Sequence, residues 1–134
     1  MDEMIAEKVL TELKESFASL CRIGQLEPVQ KMAEKHKLTA ENVDVRYDNV
    51  LFATIASGSL EVLQWVVSHF NVTADKLLEY DNYVHAIGFA SRCGRLAVAQ
   101  WLVDEFGITE EETAPYPLLR PSVGPLIKSA AKMT

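Results

Sequence analysis

Cysteine is scarce in this chain, with Cys21 and Cys93 the two among 134 residues. Two thiols cannot build a disulfide framework, and neither has a neighbouring ligand at zinc-site spacing, so both read as small buried thiols in a reducing compartment. Histidine is almost as sparse. His36, His69 and His85 stand too far apart to pair as ligands at i, i+4 on one helix. There is no glycine-rich phosphate loop, and no stretch brings a nucleophile and a base together. No catalytic residue, metal site or cofactor is therefore expected, and the chain does not read as an enzyme. The run Glu110-Glu111-Glu112 reads as a solvated helix start.

Positive charge is thin as well. Thirteen Lys and Arg stand against nineteen Asp and Glu, for a net charge of −6, and the basic residues are scattered. Nucleic acid is not an expected partner, because binding it without sequence preference needs clustered cations to displace counterions. Long apolar runs are also missing, and none approaches the roughly 18 residues that span a bilayer. The start Met1-Asp2-Glu3-Met4 is acidic where a secretory signal is basic. A membrane is not an expected partner, and the expected location is intracellular, in the cytoplasm.

What remains is an ordinary globular composition, 49% apolar and 24% charged, suited to one domain. Its organising feature is a repeat. Gly24-Gln25-Leu26-Glu27-Pro28-Val29-Gln30-Lys31, Gly58-Ser59-Leu60-Glu61-Val62-Leu63-Gln64-Trp65 and Gly94-Arg95-Leu96-Ala97-Val98-Ala99-Gln100-Trp101 align without gaps. Each glycine is followed by leucine at +2, glutamine at +6 and threonine at +15, and the glycines lie 34 and 36 residues apart. Apolar residues at +2, +5, +8, +9 and +12 trace one helix face, with a further aliphatic at +14. Pro28 fits the first turn of such a helix.

A second helix precedes each glycine, carried by Phe17, Leu20 and Cys21, by Leu51, Ile55 and Ala56, and by Ile87, Ala90 and Ser91. Glycine suits a sharp helix end because it accepts positive φ. Each unit is then helix, glycine turn, helix. One such hairpin cannot hide its apolar side alone, so neighbours must stack. Position +7 holds Lys31, Trp65 and Trp101, and points away from the main stripe. Both tryptophans are expected buried at unit junctions, facing the preceding unit. Thr39, Thr73 and Thr109, each followed by acids, predict a short helical turn after each second helix. Asp48, Asn49, Asp81 and Asn82 can cap the helix that follows.

Gly-x-Leu-Glu-Val followed by Gln-Trp-Val-Val, and Gly-x-Leu-Ala-Val followed by Gln-Trp-Leu-Val, resemble the second helix of ankyrin repeats. The likeness is to the divergent arrays of large DNA viruses and protists, over roughly residues 16 to 112. Phe17, Leu51 and Ile87 take the place of the leucine in the family's Thr-Pro-Leu-His. That motif itself is missing; the nearest stretches are Asn49-Val50-Leu51-Phe52 and His85-Ala86-Ile87-Gly88. The family's β-hairpin signature is missing too, so little or no β-hairpin is expected. Tetratricopeptide repeats share the period and rank second.

The resemblance implies an all-α, short ankyrin-like helical-hairpin solenoid of about three repeats with helical caps at both ends. Residues 1–15 are expected as a separate capping helix, with a break near Glu15-Ser16. Residues 16–48, 49–81 and 82–113 are the repeats. Residues 114–134 are an extended segment, set by Pro115, Pro117 and Pro121, with Leu118 and Leu119 tucked in and a final cap over 126–132. A proline-rich ligand is the other reading of that segment.

Ankyrin-like arrays imply a non-catalytic protein–protein interaction module with a concave face of inner helices and loop tips. The candidate partner-binding residues are Arg46, Tyr47, Asp48, Tyr80, Asp81, Tyr83 and His85. The tyrosines offer large contact area at low entropy cost, and the aspartates suit a basic or hydrogen-bond-donating partner. The aspartates also read as turn residues. The alternative is a self-associating protein that forms a homodimer through Met4, Ile5 and Val9. A viral or pathogen effector engaging a host protein is a third reading.

Overall fold

The computed structural model describes residues 2–45, 48–73, 86–108, 113, 115, 116, 118 and 119, with side chains from residue 6 onward. The described residues form helices and turns, with no strand among them, and as described they are all-helical. They hold α1 (Asp2–Ile23), α2 (Leu26–Lys35), α3 (Val50–Ser57), α4 (Leu60–His69), α5 (Ala86–Arg92) and α6 (Leu96–Phe106). None of these is long and apolar enough to cross a membrane. The chain divides into two compact units, Met1–Val72 and Thr73–Thr134.

The three helix-ending glycines behave as their position requires. Gly24, Gly58 and Gly94 sit at φ +82°, +74° and +72°, the left-handed region where a side chain is strained. Each closes a hairpin: α1–α2 is hairpin 1, α3–α4 hairpin 2 and α5–α6 hairpin 3. The second helices all begin at +2. In the first two hairpins they end at +11, and in the third at +12.

In the first unit the two hairpins lie against each other, α1 on α3 and α2 on α4. Their shared core holds Phe17, Cys21, Val29, Ala33, Leu51, Ile55, Leu63, Val66 and Phe70, all essentially inaccessible. Phe17 meets Phe70 edge-on, with centroids 5.7 Å apart. In the second unit α5 packs on α6 around Ile87, Ala90, Ala99, Leu102 and Val103. Val62 and Val98, at +4, are also buried, outside the predicted stripe. Leu96, at +2, is 39% exposed although predicted on the apolar face.

Several expectations need correcting. The favoured break near Glu15-Ser16 does not occur: α1 runs through it as one 22-residue helix, roughly 33 Å long. Nothing in Glu15-Ser16 interrupts a helix; Ser19 Oγ simply bonds the Glu15 carbonyl at 3.0 Å. Residues 1–15 are thus no separate helix. The junction tryptophans are half-buried rather than buried. Trp65 stacks on His69 at 4.5 Å and meets Phe70 edge-on at 6.0 Å. Its stacking partner His69 reaches the segment after α2, donating from Nε2 to the Leu38 carbonyl at 2.7 Å. His36 is half-buried, as its place in the repeat suggests.

After α2 the expected threonine turn is present. Val43 N donates to the Thr39 carbonyl at 2.9 Å, and Asn42 Oδ1 accepts from Thr39 N at 2.8 Å. Thr109 and the stretch 126–132 lie outside the described residues. Of the pair expected to tuck in, Leu119 is buried and Leu118 is 74% exposed. The chain turns between Tyr116 and Leu119 through a Leu119 N to Tyr116 carbonyl bond of 2.9 Å, which sends the two leucines in different directions.

Candidate functional site

Of the seven candidate partner-binding residues, Asp48 is the one within the described set; Arg46, Tyr47, Tyr80, Asp81, Tyr83 and His85 lie outside it. Asp48 ends the loop that leads into α3. Its Oδ2 accepts from Asp44 N at 2.8 Å, while its own N–H donates to the Asp44 carbonyl at 2.8 Å. The same oxygen stands 3.3 Å from Lys14 Nζ of α1. Asp48 therefore holds its own turn and ties the loop to α1. It does not cap α3, contrary to expectation. The cap is Asn49, left-handed at φ +61°, whose side chain makes no capping hydrogen bond.

Beside this loop opens a cleft of about 280 Å³, lined by Glu15, Ala18, Ser19 and Arg22 of α1 and by Asp48, Asn49, Phe52 and Ala53. The α1 residues recur at i, i+3, i+4 and i+7, one face of the helix. Small Ala18 and Ala53 leave the room, Phe52 supplies aromatic surface, and the rim carries both signs of charge. A mixed surface of this kind suits a protein segment with polar and apolar side chains. It is built from the facing sides of α1 and α3 and the loop residues Asp48 and Asn49.

Glu15, Ser19, Arg22 and Phe52 were missed in the sequence. A signal for the first three was available, as a polar row on the side of α1 that carries no core residue. The Lys14–Asp48 pair was also missed, although the two stand one repeat period apart with opposite charge. In stacked units such residues become neighbours.

Cys21 is buried between α1 and α3, where its thiol shares a hydrogen bond with the Thr54 side chain. Burial pushes its pKa up to about 11, against a smaller opposing effect of Thr54. At neutral pH it is a protonated packing group. Cys93 is exposed, which corrects the expectation of two buried thiols. It sits at the tip of hairpin 3, where the chain turns outward.

Of the self-association candidates, Val9 is 49% exposed, while the side chains of Met4 and Ile5 lie outside the described set. Among the described residues no group of three or more His, Cys, Asp or Glu could hold a metal ion. The described fold defines an all-helical protein of helix–glycine–helix hairpins. Compared with known protein families, with curated proteins and with solved structures, the chain matches none of them.

Proposed function

We propose that this chain is a short ankyrin-like array that acts as a non-catalytic protein-interaction module. The reading is carried by the way hairpins 1 and 2 pack, first helix on first helix and second on second, across left-handed glycine turns. Such a row presents a rigid face of inner helices that needs little ordering to engage a partner. The binding face includes the cleft of Glu15, Ser19, Arg22 and Phe52, and the sequence candidates Tyr47 and Tyr80 are proposed as further partner-binding residues.

The test is retention of a partner protein from the native cell by the intact chain and by two surface variants, Arg22→Glu and Tyr80→Ala. Both should keep the helical circular dichroism of the parent and lose the partner at least tenfold. A partner held equally by all three proteins counts against this face.

The second reading, self-association through α1, has one observation in its favour: α1 is unbroken and Val9 on it is half exposed. Light scattering separates the two. A dimer that dissociates on Ile5→Glu supports self-assembly, and a monomer at all concentrations excludes it.

A further inference from the structure

Hairpin 1 presents one stripe of its first helix to hairpin 2. Lys14 reaches Asp48, and Cys21 bonds Thr54. Ala18 lines the cleft with Phe52 and Ala53. A Cβ placed on Gly24 would stand 3.2–3.3 Å from Ser57 and Ser59. Counted from each turn glycine, the residues in register with Ala18, Cys21 and Gly24 are Gly88, Ser91 and Gly94 of hairpin 3.

On Gly88 there rests a side chain from later in the chain. A Cβ built there would stand 2.6 Å from Tyr116 Oη, closer than such atoms pack. Glycine is the poorest helix former after proline, so its place inside α5 needs a reason, and the tyrosine supplies one. Thr113, Tyr116 and Leu119 are joined by two successive backbone bonds, Tyr116 N donating to the Thr113 carbonyl at 2.8 Å and Leu119 N to the Tyr116 carbonyl at 2.9 Å. Thr113 and Leu119 are buried, and Tyr116 between them is half-buried. Every third residue thus faces inward, while Leu118 points out.

We propose that Thr113, Tyr116 and Leu119 form an intramolecular cap, in which Tyr116 plugs the Gly88 notch on the stripe that, in hairpin 1, receives a following hairpin. In hairpin 1 the corresponding residue, Ala18, lines the open cleft, so in hairpin 3 the tyrosine ring fills the room that hairpin 1 leaves. The plug covers only one end of the stripe. Ser91 Oγ is buried with no hydrogen-bond partner among the described residues, and no described atom lies within 4 Å of the Gly94 Cβ position.

The experiment is amide hydrogen exchange of residues 90–93 in four proteins: the parent, Gly88→Ala, Tyr116→Ala and the double variant. With tyrosine present, Gly88→Ala should speed exchange at least tenfold by expelling the ring. With Tyr116→Ala in place the same substitution should slow exchange, because alanine is the better helix former and meets no ring. A change in the same direction in both backgrounds, or none in the parent, overturns the cap. Should Gly88→Ala fail to fold alone, a folded double variant shows the same reversal in its extreme form and supports the cap. An unfolded double variant overturns it.

Discussion

Gly24 and Gly94 close their hairpins at φ +82° and +72°, each with its N–H bonded 3.1 Å away to the carbonyl three residues back. Gly24 is pressed against Ser57 and Ser59, whereas the space over Gly94 is open to 4 Å among the described residues. The contrast separates two demands on one residue. Positive φ is required by the hairpin itself, and is met in both places. The missing side chain is required by a neighbour, and that demand arises at Gly24.

The sharpest way to break the comparison is to add the same side chain at both turns. Valine at positive φ should cost about 1–3 kcal/mol at either site. At Gly24 overpacking against Ser57 and Ser59 adds about another 1–3 kcal/mol. Gly24→Val should therefore destabilise by about 2–6 kcal/mol and Gly94→Val by about 1–3 kcal/mol, read from urea denaturation midpoints. Equal costs would mean that the Gly24 contact yields freely and that the hairpins pack more loosely than the geometry implies.

The registers of Cys21 and Ser91 extend the comparison along the same stripe. The Cys21 thiol is raised from 9.0 to about 11, chiefly by burial. The folded state holds the proton more tightly than the unfolded state does. Its contribution is therefore complete below pH 9 and is lost as pH rises toward 11. The loss should be roughly 2–3 kcal/mol, since each pKa unit is worth about 1.4 kcal/mol. Subtracting the same pH series for Cys21→Ala isolates this contribution from other alkaline titrations. A parent and variant that lose stability in parallel between pH 9 and 11 would show that Cys21 does not titrate in that range. A thiol reagent at pH 8 offers a second check: Cys93 should react at once, and Cys21 only on unfolding.

The same stripe shows what the sequence could and could not reveal. The hairpins were legible because glycine, leucine, glutamine and threonine recur at set offsets, and because i, i+3, i+4 spacing marks a buried helix face without knowledge of the neighbour. The unbroken α1 was harder. The local sequence permits either a break or a continuation, and residues 6–9 are exposed, so no buried contact marks the choice. Trp65 was legible as lying off the main apolar stripe of its helix. Its half exposure depends on His69 stacking beneath it, a pairing fixed by the bond to Leu38 in another hairpin. Of the candidate site, the loop tip at Asp48 was legible as turn chemistry. The cleft beside it depends on small residues in α1 and α3 coming together, and a periodicity of one helix cannot report on two.

The smallest effect concerns Ser91, and here the expected sign is the informative part. Cys21 meets Thr54 across the packed stripe, while Ser91 Oγ, in the same register on hairpin 3, is buried without a partner among the described residues. A buried hydroxyl that lost its water and gained no protein bond has already cost its desolvation, so removing it returns part of that free energy. Alanine is also the better helix former at this position, near the end of α5. Ser91→Ala should therefore stabilise hairpin 3 by about 1 kcal/mol, where most substitutions at a half-buried position do the reverse. Thr54→Val makes the mirror-image change on the packed stripe, removing the hydroxyl that Cys21 uses, and should destabilise. If Ser91→Ala also destabilises, its hydroxyl has a partner in solution, and the two stripes are more alike than the bonding pattern shows.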